Sequence, residues 1–241
     1  MTNKFFFIPS FFTLLNFFWG FFSIVEAVEG NLHKAAWFII LAVLCDGMDG
    51  KFARWTGTET AFGFELDSLG DMVSSGLAPA VVVYIGILHK IAFMGVLICF
   101  IYIFAGGYRL ARFNVIKARE RSEGYIGLPI PVAAMTIASF LIFHTPFGES
   151  ISIGFLITLM VFLAILMVST IHYSWPRLMF HVNWIKRIQS IGLLLATSLM
   201  AVFPEKCLFP LFSFYILLGI KTWIIDLVKG KVRLSGFFLS G

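Results

Sequence analysis

Apolar runs about as long as a bilayer is thick recur along this chain from Ile8 to Val228, with short polar breaks between them. A hydrocarbon core of about 30 Å takes about 20 helical residues at 1.5 Å each. Within lipid every backbone N–H and C=O must find a partner inside the protein, which leaves helices or closed barrels. A barrel strand alternates apolar and polar residues in pieces of about ten, and no such alternation runs through this sequence. The mean hydropathy is +0.93 and only 13% of residues are charged, against about 25% in a soluble domain. The expected fold is all-α, a polytopic integral membrane protein.

Eight candidate spans are read: Ile8–Val28, Ala35–Lys51, Gly63–Leu88, Ile91–Val115, Pro129–His144, Ile151–Thr170, Ile188–Phe203 and Cys207–Val228. Breakers stand at Glu29-Gly30-Asn31, Thr145-Pro146-Phe147-Gly148 and Phe203-Pro204-Glu205. The first span lacks a small-residue cleavage site and reads as an ordinary helix rather than a leader. No repeat or linker divides the chain, so residues 1–241 read as one membrane-embedded domain. The 29 phenylalanines fall mostly on segments expected to face lipid. Cys45, Cys99 and Cys207 sit in or beside apolar runs without metal spacing and read as buried thiols.

The net charge of +5 raises nucleic acid as a partner, but its placement argues for a membrane instead. With the N-terminus inside, the cytoplasmic segments hold 14 of the 18 Lys and Arg residues, the outer loops hold Lys34, Lys90 and Lys206, and Lys221 lies in the last span. Positive charge collects on the cytoplasmic side. The expected location is the inner, cytoplasmic membrane of a bacterial-type cell, crossed many times, with membrane lipids as partners and no nucleic acid.

Four of the five aspartates fall within the 26 residues from Asp46 to Asp71, at the cytoplasmic edge of two spans. On a helix Asp46, Asp49, Gly50 and Ala53 share one face, and so do Gly63, Asp67 and Asp71 at i, i+4, i+8. Two facing helices would aim four carboxylates at one point. Acids in lipid are costly and mark function, and like charges held together call for cations. Hard oxygen donors suit Mg²⁺ or Mn²⁺. Arg54 lies one residue off this stripe, placed either to reach a phosphate or to anchor the cytoplasmic end. The bland reading of the aspartates, interfacial and structural, does not explain their concentration on two faces.

The run Asp49-Gly50-x2-Ala53-Arg54-x8-Gly63-x3-Asp67-x3-Asp71 resembles the signature of the CDP-alcohol phosphatidyltransferases, with Asp46 as the leading acid of its extended form. Three further stretches resemble the phosphatidylserine synthase branch of that family: Asp67 to Ala80, Arg109-Leu-Ala-Arg112-Phe-Asn114, and Gly127-Leu-Pro129-Ile-Pro131. The opening Ile8-Pro9-Ser10-Phe-Phe-Thr13-Leu-Leu-Asn16 is similar to the family's first helix and departs from it at Ser10, where Asn is commoner. The resemblance implies a six-helix core, here about residues 8–172, with two extra spans over about 188–228, and usually a homodimer. It implies two divalent ions, Mg²⁺ or Mn²⁺, held by Asp46, Asp49, Asp67 and Asp71, with Asp71 either ligand or general base. It places the cytidine nucleotide over Asp49, Gly50, Ala53, Arg54, Gly63 and Asp67. The implied substrates are CDP-diacylglycerol and L-serine.

Arg109, Arg112 and Asn114 are the candidates for holding the acceptor, since an arginine binds a carboxylate through two parallel hydrogen bonds. The same cluster suits the phosphate of glycerol 3-phosphate, and it suits plain anchoring at the interface. Electrostatics therefore leaves the acceptor open between serine, glycerol 3-phosphate and an inositol compound. A divalent-cation transporter is the alternative from another class. Its site would sit near the midplane with interrupted helices in both halves, whereas these acids sit at one edge and the second half supplies no matching acids.

Overall fold

The computed structural model describes residues 7–56, 60–119, 125–144, 152–173 and 204–228. The chain opens with α1 (Phe7–Val28) and α2 (Leu32–Thr56), followed by α3 (Ala61–Asp71), a π-helical segment (Met72–Leu77) and α4 (Ala78–Gly86). A 3₁₀ turn (Leu88–Ile91) leads into α5 (Phe93–Arg119). Then come β1 (Tyr125–Ile126), α6 (Ile130–His144), α7 (Ile153–Val168), β2 (His172–Tyr173) and α8 (Pro204–Val228). Each expected span has its helix except Ile188–Phe203, which lies outside the described residues. By length and composition, Phe11–Val28, Ala61–Gly86, Phe93–Val115 and Glu205–Ile225 can each cross a membrane, while α6 and α7 are shorter apolar helices.

Gly30 joins α1 to α2. At φ +85° it occupies the left-handed region, and the Asn31 N–H bonds the Glu26 carbonyl while the Gly30 N–H bonds that of Ala27. This paired closure satisfies carbonyls that the end of α1 would otherwise leave open. The two helices then pack along their length through Ala27, Ala35, Ala36 and Ile39. Helix α6 is apolar all round and is buried from Ala133 to Ile142, the pattern of a helix enclosed by others. Phe18, Phe21, Phe100 and Phe104 point outward from α1 and α5, as solvent matching to lipid requires.

Two departures from the sequence reading matter for the site. The third span is not one regular helix. Its middle, Met72–Leu77, widens to π geometry just before Pro79, which lies in the first turn of α4. Proline carries no N–H and crowds the preceding turn, so the α pattern cannot run through it unchanged. The second departure is a two-residue antiparallel pairing of Tyr125 with Tyr173 and Ile126 with His172. Beyond it the Gly127 N–H donates to the Ile171 carbonyl and the Leu128 N–H to that of Leu166. The expected rigid turn into α6 is thus tied to the end of α7.

Candidate metal and active site

Thr60 caps α3: its Oγ1 accepts the Gly63 N–H at 3.0 Å. A capped start fixes the helical face, so Gly63, Asp67 and Asp71 line one side of α3. Asp46 and Asp49 come from the C-terminal half of α2. Ligand oxygens of Asp46, Asp49 and Asp67 lie within 4.8 Å of one another. Asp71, one turn further along α3, stands outside that set, is buried, and interacts with both Asp46 and Arg109. Gly50 lies in the same stretch of α2, and a Cβ on Gly63 would meet little besides Thr60 Oγ1, at 3.1 Å. Ala53 and Arg54 belong to α2, but their side chains lie outside the described residues.

The donor set fits a divalent cation. Ligand oxygens on one such ion stand about 3–4 Å apart for metal–oxygen distances near 2.1 Å, which matches the convergence of these three carboxylates. Asp67 Oδ1 and Asp71 Oδ1 are buried without a hydrogen-bond donor, the state expected of oxygens kept for a metal rather than for the protein.

Helix α1 supports the acids from one side. Thr13 Oγ1 donates to Asp49 Oδ2 at 2.9 Å in a buried contact. Thr13, Asn16, Gly20 and Ser23 form a polar and small-residue stripe at i, i+3, i+7, i+10. Gly20 is required there because a Cβ would stand 2.7 Å from the Ser74 Cα. Asn16 is fully buried, with neither amide atom hydrogen-bonded, and lies against Gly70; Ser74 and Ser75 also bury unpaired hydroxyls. The sequence reading carried Thr13 and Asn16 only through the family's first helix. The signal for a supporting role was the stripe itself, polar residues at helical spacing in an otherwise apolar segment.

The three acceptor candidates on α5 have different surroundings. Arg109 is 3% exposed, interacts with Asp71, and lies over the Phe113 ring at 5.3 Å. Arg112 turns away from the acids: its guanidinium donates to the carbonyls of Val168 (2.8 Å), Ser169 (2.9 Å) and Met167 (3.2 Å) at the end of α7. Those are the carbonyls a helix leaves open, and a cation is the favoured partner there. Asn114 reaches α3, its Nδ2 donating to Ser68 Oγ at 3.1 Å and lying 3.5 Å from Glu65 Oε2. The structure therefore brings Arg109 to the carboxylates and gives Arg112 and Asn114 other partners.

An acid-lined centre on two helices, backed by a polar stripe on α1 and a buried arginine, is the kind of site that could hold a metal ion. The family model for CDP-alcohol phosphatidyltransferase matches residues 6–175. The chain belongs to the CDP-alcohol phosphatidyltransferase family and is an enzyme of that family. Among its relatives is a Helicobacter pylori strain J99 protein named CDP-diacylglycerol–serine O-phosphatidyltransferase, 32% identical over 233 residues, which cover 94% of this chain and 95% of that one. An archaetidylserine synthase of Methanothermobacter thermautotrophicus is 37% identical over 168 residues, 69% of each chain. A CDP-diacylglycerol–serine O-phosphatidyltransferase of Bacillus subtilis is 33% identical over 140 residues, 58% of this chain and 78% of that one.

Proposed function

We propose that this protein transfers the phosphatidyl group from CDP-diacylglycerol to the hydroxyl of L-serine, giving phosphatidylserine and CMP. The convergence of Asp46, Asp49 and Asp67, with Asp71 buried beside them, carries the reading. Similarity along nearly the whole chain to a protein named for the serine reaction supports the choice of acceptor.

In this reading the serine oxygen forms a bond to the phosphorus bearing the diacylglycerol, the bond from that phosphorus to CMP breaks, and Asp71 takes the hydroxyl proton. An alcohol is a poor nucleophile near neutral pH, so a positioned carboxylate base helps. Asp71 suits that role because it stands outside the triple and beside Arg109. Asp46, Asp49 and Asp67, with Asp71 as a further oxygen donor, would hold two Mg²⁺ or Mn²⁺ ions. When bound, such ions neutralise the acids and stabilise charge on the transferring phosphoryl group and its leaving phosphate. Gly50, Ala53, Arg54 and Gly63 border the nucleotide, with Asp49 and Asp67 shared between nucleotide and metal.

Arg109 faces the acceptor and offers its guanidinium to the serine carboxylate. Arg112 is engaged with the end of α7, so Arg109 is the arginine assigned to the acceptor. We place the reaction at the cytoplasmic face of the inner membrane, in a single multi-pass domain that works as a homodimer.

The test is CMP release by purified protein in detergent with CDP-diacylglycerol and Mn²⁺ or Mg²⁺. Serine, glycerol 3-phosphate and myo-inositol are supplied one at a time, with a chelator control. Release with serine alone, lost on chelation, is the expected result. Release with another acceptor instead overturns the choice of serine, and metal flux into sealed vesicles without CMP release overturns the transferase reading.

A further inference from the structure

Helix α3 carries two of the four acids and is enclosed mainly at its far end, where Gly70 lies against Asn16 and Phe17 of α1. Of its eleven residues only Gly70 and Asp71, at its far end, are buried, while Phe62 and Leu69 are exposed. Its far end runs on into the rest of the Ala61–Gly86 span, which holds it there. The turns that carry Gly63 and Asp67 are only half-buried, at Phe64, Leu66, Asp67 and Ser68. They meet α5 through hydrogen bonds: Asn114 Nδ2 to Ser68 Oγ (3.1 Å) and to Glu65 Oε2 (3.5 Å), with Ser68 Oγ also 3.4 Å from Asn114 Oδ1. Ser68 in addition donates to the Phe64 carbonyl at 3.1 Å, so its hydroxyl is fixed to its own helix as well. Beside this latch the Phe64 and Phe113 rings lie 6.3 Å apart between centroids.

Ser68 follows Asp67 directly and precedes Asp71 by three residues, so wherever Ser68 is held, both acids are held. Arg109 sits five residues before Asn114 on α5 and acts electrostatically on Asp71. We propose that Asn114 is a positioning residue, which through Ser68 and Glu65 sets the place of Asp67 and Asp71 against Asp46, Asp49 and Arg109. This rests on the function proposed above for its catalytic readout but not for its metal readout. It assigns Asn114 a task other than contact with the acceptor. Groups that orient metal ligands from behind are costly to remove, about 10–100-fold in metal affinity or activity.

The experiment compares Asn114→Ala, Ser68→Ala, the double variant and Ser68→Thr with the unaltered protein in detergent. Mn²⁺ binding is followed by electron paramagnetic resonance, and CMP release is measured against serine and against CDP-diacylglycerol. Each alanine variant is expected to weaken Mn²⁺ binding by about tenfold and to lower kcat without raising the KM for serine. The double variant should lose little more than either single one, because both remove the same link. Ser68→Thr keeps the hydroxyl and should keep most of the Mn²⁺ affinity. A raised serine KM with unchanged Mn²⁺ binding would make Asn114 an acceptor contact and overturn the proposal, as would no change in either quantity. Should Asn114→Ala fail to fold, Ser68→Ala removes only one oxygen and decides the matter. If the unaltered protein binds Mn²⁺ but releases no CMP with serine, the functional reading falls, while the Mn²⁺ arm still decides the role of Asn114.

Discussion

Tyr102 on α5 donates its phenolic hydrogen to the backbone carbonyl of Ser75 at 3.1 Å. The α-helical donor for that carbonyl would be residue 79, which is proline and has none. A fully buried tyrosine thus gives that carbonyl a hydrogen bond from outside its own span, one turn beyond Asp71. Tyr102→Phe removes the hydroxyl and leaves its ring in place. The expected cost is about 1–3 kcal/mol, the penalty for a buried polar group that loses its partner. Thermal unfolding in detergent checks it; an unchanged midpoint would show that the carbonyl is satisfied without Tyr102.

Thr13 orients Asp49 from α1. Thr13→Val keeps the shape and removes the donor, so Mn²⁺ affinity should fall by about tenfold or more. Thr13→Ser retains the hydroxyl and should bind Mn²⁺ much as the unaltered protein does. Titration of the three proteins separates the hydrogen bond from packing.

Asp67→Asn and Asp71→Asn preserve volume while removing charge. Both should lower CMP release, by about 10²-fold or more where a general base is lost. They should differ in metal binding: Asp67 belongs to the convergent triple and Asp71 stands beside it. Asp67→Asn should therefore weaken Mn²⁺ binding more than Asp71→Asn. The reverse order would exchange their roles.

Arg112 is expected to matter for stability rather than for serine. Replacing it with Ala removes three bonds to the end of α7, at a cost of at least about 1.5–3 kcal/mol, the range for a single hydrogen bond to a charged group. Arg112→Lys should recover only part of this, since a lysine lacks the planar fork. A serine KM that rises in Arg112→Lys while the unfolding midpoint holds would return Arg112 to the acceptor site.

Gly127 belongs to the same junction. It sits at φ +79°, and a Cβ there would come within 2.5 Å of the Met167 carbonyl oxygen and 2.6 Å of the Arg112 guanidinium. Gly127→Ala should destabilise the fold by more than the ~1 kcal/mol that an unstrained alanine would contribute favourably. A midpoint at or above that of the unaltered protein would refute the crowding.

The parts of this arrangement written as periodicity were legible in the sequence. Asp46 with Asp49, and Gly63 with Asp67 and Asp71, fall on helical faces by spacing alone, and the structure brings Asp46, Asp49 and Asp67 together. Hydropathy located the helices but was blind to hydrogen-bond pattern, so the π segment passed as regular helix although Pro79 marked it. What the sequence concealed are pairings between distant positions. Thr13 and Asp49 are 36 residues apart, Ser68 and Asn114 are 46, and Arg112 and Val168 are 56. Arg109, Arg112 and Asn114 looked like one cluster because they are neighbours in sequence. Around a helix Asn114, five residues past Arg109, is turned well away from it, while Arg109 and Arg112, three apart, share a side; even so, Arg109 lies near Asp71 and Arg112 reaches the end of α7.

The wide turn at Met72–Leu77 has a geometric consequence for everything after it. A residue of α-helix turns the chain by about 100°, and a π turn takes up more residues than an α turn before it closes. The segment therefore works as a phase adjuster between two faces of one span. Before it, Asp67 and Asp71 are aimed at the acids of α2; after it, Ala80, Val82 and Val83 are turned into the apolar core. Shortening this stretch by a single residue would remove the slack that the wide turn takes up and press Pro79 into an α turn that it cannot complete.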